Sequence, residues 1–184
     1  MIETIAPFFP GIEKQWRQYK HWFSEITVPR KTVLLKEGSI PRKIFFVKQG
    51  CLRTAIHSRG KDVTFQFFFE QDVIASIESL RTNQPSPISI ESIEPSTIIV
   101  LQKKGFETLL RDFPQLKEVM FEYVFRRFAH YSKLFVSNIK DTPRQRYMNL
   151  LKESPHIIQR VPQHYIASYL GITPVSLSRI RKRI

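Results

Sequence analysis

Six short apolar runs between residues 32 and 101 constrain the fold more than any other feature of this sequence. Each run alternates with the period of a β-strand and has about its length. The runs occupy residues 32–35, 44–47, 51–56, 63–69, 88–93 and 97–101. Gly38, Gly50 and Gly60 lie between successive runs, where a tight turn favours a residue that tolerates positive φ. Strands at this spacing predict an antiparallel jelly-roll β-barrel, which we assign to residues 1–104.

Residues 105–140 change to the three- and four-residue spacing of an amphipathic helix. The apolar residues are more numerous than one face of a solvated helix needs. We therefore expect this helix to pair in parallel with its copy in a homodimer. The alternative is that it packs only on its own barrel. The predicted dimer interface consists of Leu116, Met120, Tyr123, Val124, Phe128 and Tyr131.

Residues 141–184 carry the pattern of a helix-turn-helix. Residues 141–143 end one helix and begin the next, because Asp or Thr can cap a helix that starts with Pro. Further along, Ala167 is small where two helices would cross, Gly171 suits a tight turn, and Thr173 caps the second helix. The predicted core of the motif consists of Ile166, Leu170, Ile172, Leu177 and Ile180.

The charge of the chain favours DNA as the partner of this motif. The net charge is +13, and residues 141–184 carry eight Lys or Arg against two acids; such a basic segment is attracted to phosphate. Arg179 is the predicted base reader, since its planar group can bridge the two acceptors of guanine. Hydroxyl and amide side chains suit phosphate contacts. The predicted DNA-binding residues are Gln163, His164, Thr173, Val175, Ser176, Ser178, Arg179 and Lys182.

The order of barrel, long helix and helix-turn-helix resembles the Crp/Fnr family of bacterial transcription regulators. Residues 46–53, 60–69 and 166–180 carry the resemblance, and the last segment is similar in particular to regulators of the Bacteroidetes type. The resemblance implies a homodimer that binds a two-fold symmetric site in double-stranded DNA and acts on RNA polymerase. It also implies an effector pocket inside the barrel.

The sequence departs from the cAMP-binding pattern of that family. Residues 70–87 contain no Gly-Glu, and the arginine expected near Pro85 is missing. We therefore expect that cAMP is not the effector. Arg81 is the remaining candidate for an anion ligand, and the predicted effector-pocket residues are Ser76, Glu78, Ser79 and Arg81.

Two further departures concern DNA recognition. Val175 stands where many family members have Glu or Gln; it can contact a thymine methyl group but cannot accept a hydrogen bond from cytosine. We expect the operator to differ from the familiar ones. The sequence also stops at Ile184, where many relatives continue into a wing hairpin, so we expect no phosphate contacts from a wing.

Other features argue against other classes of protein. Cys51 is the single cysteine, which excludes an intrachain disulfide and a cysteine-built metal site. The five histidines are scattered, so we expect neither the metal site of a jelly-roll enzyme nor catalytic residues. No membrane span or secretory signal is evident, and we expect a cytoplasmic protein. The alternative left open is a degenerate sensory module that binds a protein partner without sequence-specific DNA binding.

Overall fold

A computed structural model describes residues 1–58 and 60–183. The strands in this part of the chain are β1 Phe23–Val28, β2 Val33–Leu35, β3 Lys43–Gln49, β4 Leu52–Ser58, β5 Lys61–Phe68, β6 Val73–Ile74, β7 Ser89–Ser92 and β8 Ser96–Gln102. The α-helices are α1 Ile2–Ile5, α2 Trp16–Tyr19, α3 Ile77–Thr82, α4 Lys103–Asp112, α5 Leu116–Lys140, α6 Pro143–Glu153, α7 Pro155–Arg160, α8 Gln163–Tyr169 and α9 Pro174–Lys182. Short 3-10 helices occupy Ala6–Phe8, Ile12–Gln15 and Lys20–Trp22.

The strands form two four-stranded sheets, in the orders β1-β8-β3-β6 and β2-β7-β4-β5. Strand β8 pairs antiparallel with both β1 and β3, so that Leu101 lies opposite Phe23 on one side and Ile44 on the other. Each of the six predicted runs contains a strand of these sheets. The predicted α+β class with a jelly-roll is confirmed, in the form of a β-sandwich accompanied by helices. Strands β1 and β6 were not among the predicted runs.

Strand β8 is buried on both of its faces. Ile98 and Val100 belong to the cluster between the two sheets, whereas Ile99 and Leu101 belong to a second cluster on the outer face of their sheet. Successive side chains of a strand point to opposite faces. The sheet that contains β8 therefore has an apolar layer on each side. The outer layer is supplied by the N-terminal segment, α4 and the start of α5, from residues Ile5, Phe9, Ile12, Leu109, Phe113 and Leu116.

The predicted long helix over residues 105–140 is two helices. Helix α4 ends at Asp112 and α5 begins at Leu116. Pro114 lies between them, and the residue that precedes a proline is biased away from helical backbone. The prediction followed the helical spacing across this proline and was wrong there.

The chain divides into two compact units. Unit 1 comprises residues 1–54 and 67–124, and unit 2 comprises residues 55–66 together with the chain from residue 125 onward. These bounds differ from the predicted divisions after residues 104 and 140. The β4–β5 hairpin belongs to unit 2 because its backbone and side chains contact helices there. The Thr64 N–H donates to Ser168 Oγ at 2.9 Å, and the Phe65 ring stacks on Tyr131 with centroids 5.2 Å apart.

The turn glycines all have the positive φ that the sequence predicts. The φ angles are 83° at Gly38, 103° at Gly50 and 73° at Gly60; Arg59, inside the predicted turn over residues 58–62, lies outside the described residues. Gly50 is the most constrained, since a Cβ atom there would stand 2.8 Å from the Cα of Ser96. A side chain at this position meets both backbone strain and a steric clash.

We predict that Gly50→Ala destabilises unit 1 by about 2–4 kcal/mol, the sum of left-handed strain and a backbone clash. Gly38→Ala is the matched control, because Gly38 also has positive φ but a Cβ atom there meets nothing within 4 Å. Its expected cost is about 1 kcal/mol. Urea denaturation of both variants measures the difference, and equal losses of stability would contradict the clash.

Candidate nucleic-acid interface

Unit 2 contains four helices after α5, and the first of them begins as predicted. Thr142 is the N-cap of α6: its Oγ1 accepts a hydrogen bond from the Gln145 N–H at 3.3 Å. In return the Thr142 N–H donates to Gln145 Oε1 at 2.8 Å. Pro143 occupies the first helical position. This reciprocal capping box satisfies two backbone donors at the helix start.

Helix α8 ends in a tight turn at Gly171. Gly171 has a φ of 66°, and its N–H donates to the Ser168 carbonyl at 3.0 Å. The next N–H, of Ile172, donates to the Ala167 carbonyl at 2.9 Å. This pair of bonds is the Schellman arrangement, in which a left-handed glycine lets the last carbonyls of a helix find donors. The predicted turn glycine therefore reverses the chain just after α8.

Thr173 caps α9. Its Oγ1 accepts the Ser176 N–H at 3.1 Å and lies 2.9 Å from Ser176 Oγ. Pro174 is the first residue of the helix. The predicted cap and the predicted start of the second helix are both present. They fix where α9 begins and which of its side chains face away from α8.

The contact between α8 and α9 uses the residues predicted as its core. Ile166, Leu170 and Leu177 are buried, and Ala167 is fully inaccessible. Ile172 and Ile180 are half-buried. Burial of these side chains orients the two helices and leaves the opposite face of α9 in solvent.

The predicted DNA-binding residues lie on accessible surface. Gln163, His164, Thr173, Val175, Ser178, Arg179 and Lys182 are exposed, and Ser176 is half-buried. Helix α9 carries Arg179, Arg181 and Lys182 and no acidic residue. This surface is positively charged, and Val175 is its most apolar member, with 60% of its area exposed.

Arg146 connects the start of α6 to the turn between α8 and α9. Its Nε donates to the Leu170 carbonyl at 3.1 Å, and its Nη1 donates to the Asp141 carbonyl at 2.9 Å. From the sequence alone, Arg146 is one of the eight basic residues within residues 141–184. The sequence feature that could have indicated this role is its position four residues after the N-cap Thr142, because a side chain there lies on the first turns of α6. These two hydrogen bonds connect the turn to the start of α6.

We predict that Arg146→Ala opens the turn locally. Each hydrogen bond from a charged donor contributes about 1.5–3 kcal/mol. Losing both therefore destabilises the turn by part of that free energy. The amide hydrogens of Gly171 and Ile172 should exchange at least tenfold faster in native-state hydrogen exchange. Arg144→Ala removes the same charge from an exposed position of α6 and should leave these rates unchanged. Equal rates in the two variants would contradict the role of Arg146.

Tyr169, at the end of α8, is protonated at neutral pH. Burial raises the pKa of Tyr169 to about 12, against a smaller opposing effect of the Arg127 charge on the same pKa. Nearby on α5, the Arg127 Nη2 donates to Tyr131 Oη at 3.3 Å. Arg127, Tyr131 and Tyr169 are half-buried, whereas the basic residues of α9 are exposed.

Some of the predicted dimer-interface residues pack within the chain, and the others are exposed. Leu116 is only 1% exposed and belongs to the core of its own unit. The Tyr123 hydroxyl donates to the Val73 carbonyl at 2.7 Å, and Met120 lines a cavity of the same unit. Leu116 was therefore predicted wrongly as an interface residue, and Tyr123 faces its own sheet, because the first turns of α5 cover β3 and β6. Tyr131 is half-buried under Phe65.

A different stripe of α5 is exposed, and it is strongly apolar. Phe128 and Phe135, seven residues apart, are 66% and 68% exposed. The exposed large apolar residues of the helix are Phe121, Val124, Phe125, Phe128, Phe135, Val136 and Ile139. Val124 and Phe128 were predicted as interface residues, and the other five were not. Leu116 and Tyr123 pack within their own unit, whereas the stripe that contains Phe128 is exposed.

The predicted effector-pocket residues do not converge. Arg81 lines a cavity on the outer face of the sheet, beside Ile44 and Phe46, whereas Ser76, Glu78 and Ser79 are absent from that lining. The Ser79 hydroxyl instead donates to the Pro85 carbonyl at 3.2 Å. The prediction placed this pocket inside the barrel, whereas Arg81 lines a cavity on the outer face of the sheet; the effector role of the four residues stays a prediction.

Within residues 1–58 and 60–183, no group of three His, Cys, Asp or Glu is arranged to hold a metal ion. The Cys51 side chain is buried, and its thiol lies 3.6 Å from the Leu52 carbonyl. No helix among the described residues combines the length and the hydropathy that a membrane span requires.

Comparison with known proteins relates the sandwich to one family model. Residues 25–113 match the model of the cyclic nucleotide-binding domain. No curated protein matches the chain significantly.

Solved structures share the fold over most of the chain. FixK2 from Bradyrhizobium japonicum has a TM-score of 0.76 at 16% identity, covering 88% of this chain and 83% of its own. A transcriptional regulator assigned to the Crp/Fnr family from Eubacterium rectale has a TM-score of 0.75 at 18% identity, covering 96% and 86%. A variant of CooA from Carboxydothermus hydrogenoformans has a TM-score of 0.71 at 18% identity, covering 89% and 76%. At these identities the likeness establishes the fold alone.

Proposed function

We propose that this chain, whose sandwich matches the cyclic nucleotide-binding domain, is a homodimeric transcription regulator of the Crp/Fnr type. In this proposal α8 and α9 form a helix-turn-helix that binds a two-fold symmetric site in duplex DNA. The observation that carries it is the exposed, basic and acid-free face of a capped helix α9. The fold shared with known regulators supports it. RNA polymerase as a further partner and the Bacteroidetes type remain predictions from the sequence.

The roles of the residues on α9 follow from their chemistry. Arg179 is exposed and offers the planar donor pair that matches guanine. Val175, near the start of the helix, offers an apolar surface for a thymine methyl group. Lys182, further along, supplies a point charge for phosphate. The Thr173 hydroxyl is engaged in capping α9, so its part in DNA binding is to hold the helix N-terminus, where N–H groups favour phosphate.

Gln163 and His164 complete this surface from α8. Both side chains are exposed at the first turn of that helix, where a positive helix end also favours phosphate. Ser176 and Ser178 add hydroxyl donors on α9. Contacts of this kind position a protein on duplex DNA without reading its sequence. We therefore assign sequence preference chiefly to Arg179 and Val175.

The exposed stripe of α5 supports the homodimer. The stripe has apolar residues at positions 121, 125, 128, 135 and 139. Their spacing alternates between four and three residues if Ser132, between 128 and 135, is included. This is the heptad repeat of a coiled coil. An exposed stripe of this length is unfavourable in water, and a second copy of the same helix covers it with matching chemistry. A dimer of this symmetry requires a two-fold symmetric DNA site.

A degenerate sensory module is the second candidate function. It shares the sandwich and the dimer but lacks sequence-specific DNA binding. Because the sequence lacks the cAMP-binding pattern, neither proposal identifies the effector. DNA selection separates the two, because only the regulator enriches a defined sequence.

We predict that Arg179→Ala weakens binding to the selected site by at least about tenfold, because the dimer loses one base contact in each half-site, while random duplex is bound almost as before. Lys182→Ala should instead weaken both duplexes alike and lower the salt dependence by about two charges, one for each copy in the dimer. Fluorescence anisotropy at several salt concentrations measures both effects. Arg111→Ala, an exposed charge of unit 1 with 75% of its side chain accessible, is the control. Unchanged selectivity in Arg179→Ala would contradict its assignment.

We predict that Phe128→Glu weakens the dimer at least tenfold, because it places two like charges in an apolar seam. Arg126→Glu is the matched control: Arg126 is exposed on the same helix but lies off the stripe. Sedimentation equilibrium at low micromolar protein measures the dissociation constant, and circular dichroism checks that both variants are folded. A dimer unchanged by Phe128→Glu would rule out this stripe as the seam.

A further inference from the structure

We propose that the cavity on the outer face of the β1-β8-β3-β6 sheet binds a monocarboxylic acid with an unbranched chain of about ten carbons. The hydrocarbon chain occupies the apolar cavity, and the carboxylate pairs with Arg81 at its mouth. The cavity lies entirely in unit 1. The proposal therefore requires neither DNA binding nor a second copy of the chain.

The walls of the cavity fit an apolar chain. Fourteen of its eighteen lining residues have hydrocarbon or thioether side chains, among them Phe8, Phe46, Leu110 and Met120. The only lining hydroxyl is that of Tyr123, and it already donates to the Val73 carbonyl. A base or a ribose would find few polar partners on these walls, whereas burying methylene groups there is favourable.

The size of the cavity sets the length of the ligand. Its volume is about 280 Å³. A dry apolar cavity of about 150 Å³ holds benzene, so this one accommodates on the order of ten to twelve non-hydrogen atoms. That is the size of a medium-chain acid and too small for a membrane lipid with two chains.

The charges at the mouth favour a single negative group. Arg81, Lys103 and Glu107 are the charged residues of the lining. Lys103 Nζ already contacts Asn83 Oδ1 at 2.6 Å and Glu107 Oε1 at 3.8 Å, so the charge of Lys103 is offset by that of Glu107. Arg81 is exposed and makes no hydrogen bond or ion pair within the described part of the chain. One uncompensated guanidinium matches one carboxylate in charge and in its two-oxygen geometry.

Isothermal titration calorimetry with decanoate, decan-1-ol and decyltrimethylammonium tests the proposal. The three compounds share the same chain and differ in charge. The protein should bind decanoate with a micromolar dissociation constant, at least tenfold more tightly than decan-1-ol, and decyltrimethylammonium most weakly. Octanoate and tetradecanoate should both bind less well than decanoate, because one leaves the cavity partly empty and the other exceeds it.

Two substitutions separate the carboxylate contact from the apolar cavity. Arg81→Gln should abolish the preference for decanoate over decan-1-ol and leave decan-1-ol binding unchanged. Arg30→Gln removes the same charge from an exposed position outside the lining and should keep the preference. Val119→Trp fills the cavity from α5 and should weaken both ligands at least tenfold.

Circular dichroism establishes whether the variants fold; should Val119→Trp fail to fold, the comparison of Arg81→Gln with Arg30→Gln still decides the outcome. Equal affinity for decanoate and decan-1-ol in the unsubstituted protein would overturn the carboxylate contact. So would an unchanged preference in Arg81→Gln. Absence of binding by every chain length would overturn the site itself.

Discussion

The burial of strand β8 on both faces is the constraint on which unit 1 depends. Its residues alternate between the cluster inside the sandwich and the cluster outside it. A sheet that is apolar on both sides needs a second covering layer, which the N-terminal segment, α4 and the start of α5 supply. Leu116 and Tyr123 therefore belong to this layer. The layer does not close completely, and the cavity beside Arg81 lies between it and the sheet.

Helix α5 changes its environment along its length. Its first turns cover the sheet, and from Phe121 onward it carries a stripe of exposed aromatic and aliphatic residues. The same helix thus contributes to the core of unit 1 and, in our proposal, to the dimer. Helix α9 carries the basic surface of unit 2. The proposed regulator combines the sandwich, the exposed stripe of α5 and the basic helix α9. In its dimer, two copies of α9 are related by the two-fold axis that passes between the paired stripes.

The sequence was most informative where local chemistry determines the structure. Gly50 and Gly171 mark turns because few other residues tolerate their backbone angles, and Thr173 marks the start of α9 because its hydroxyl caps the helix. These features depend on neighbours within a few residues. The six strand runs and the two helices after Pro162 could be predicted for the same reason.

The sequence was least informative where distant packing decides. Helix α5 has two apolar edges, and nothing local indicates that Leu116 faces its own sheet while Phe128 stays exposed. Arg146 was counted as free charge, although distant carbonyls engage it. Arg81 was assigned to a pocket inside the barrel, but it lines the cavity on the outer face of the sheet. Its location depends on how α3 packs, which neighbouring residues in the sequence do not show.

Disulfide trapping tests the parallel seam of α5 most directly. Phe135→Cys places a thiol within the exposed stripe, and Lys133→Cys places one on an exposed position off the stripe; Cys51 is buried and serves as the unreactive background. A parallel two-fold seam brings residue 135 against its copy, within the short range that a disulfide requires. We expect Phe135→Cys to form disulfide-linked dimers rapidly under mild oxidation, and Lys133→Cys to form few. Equal trapping of the two variants, or none of Phe135→Cys, would contradict the parallel seam.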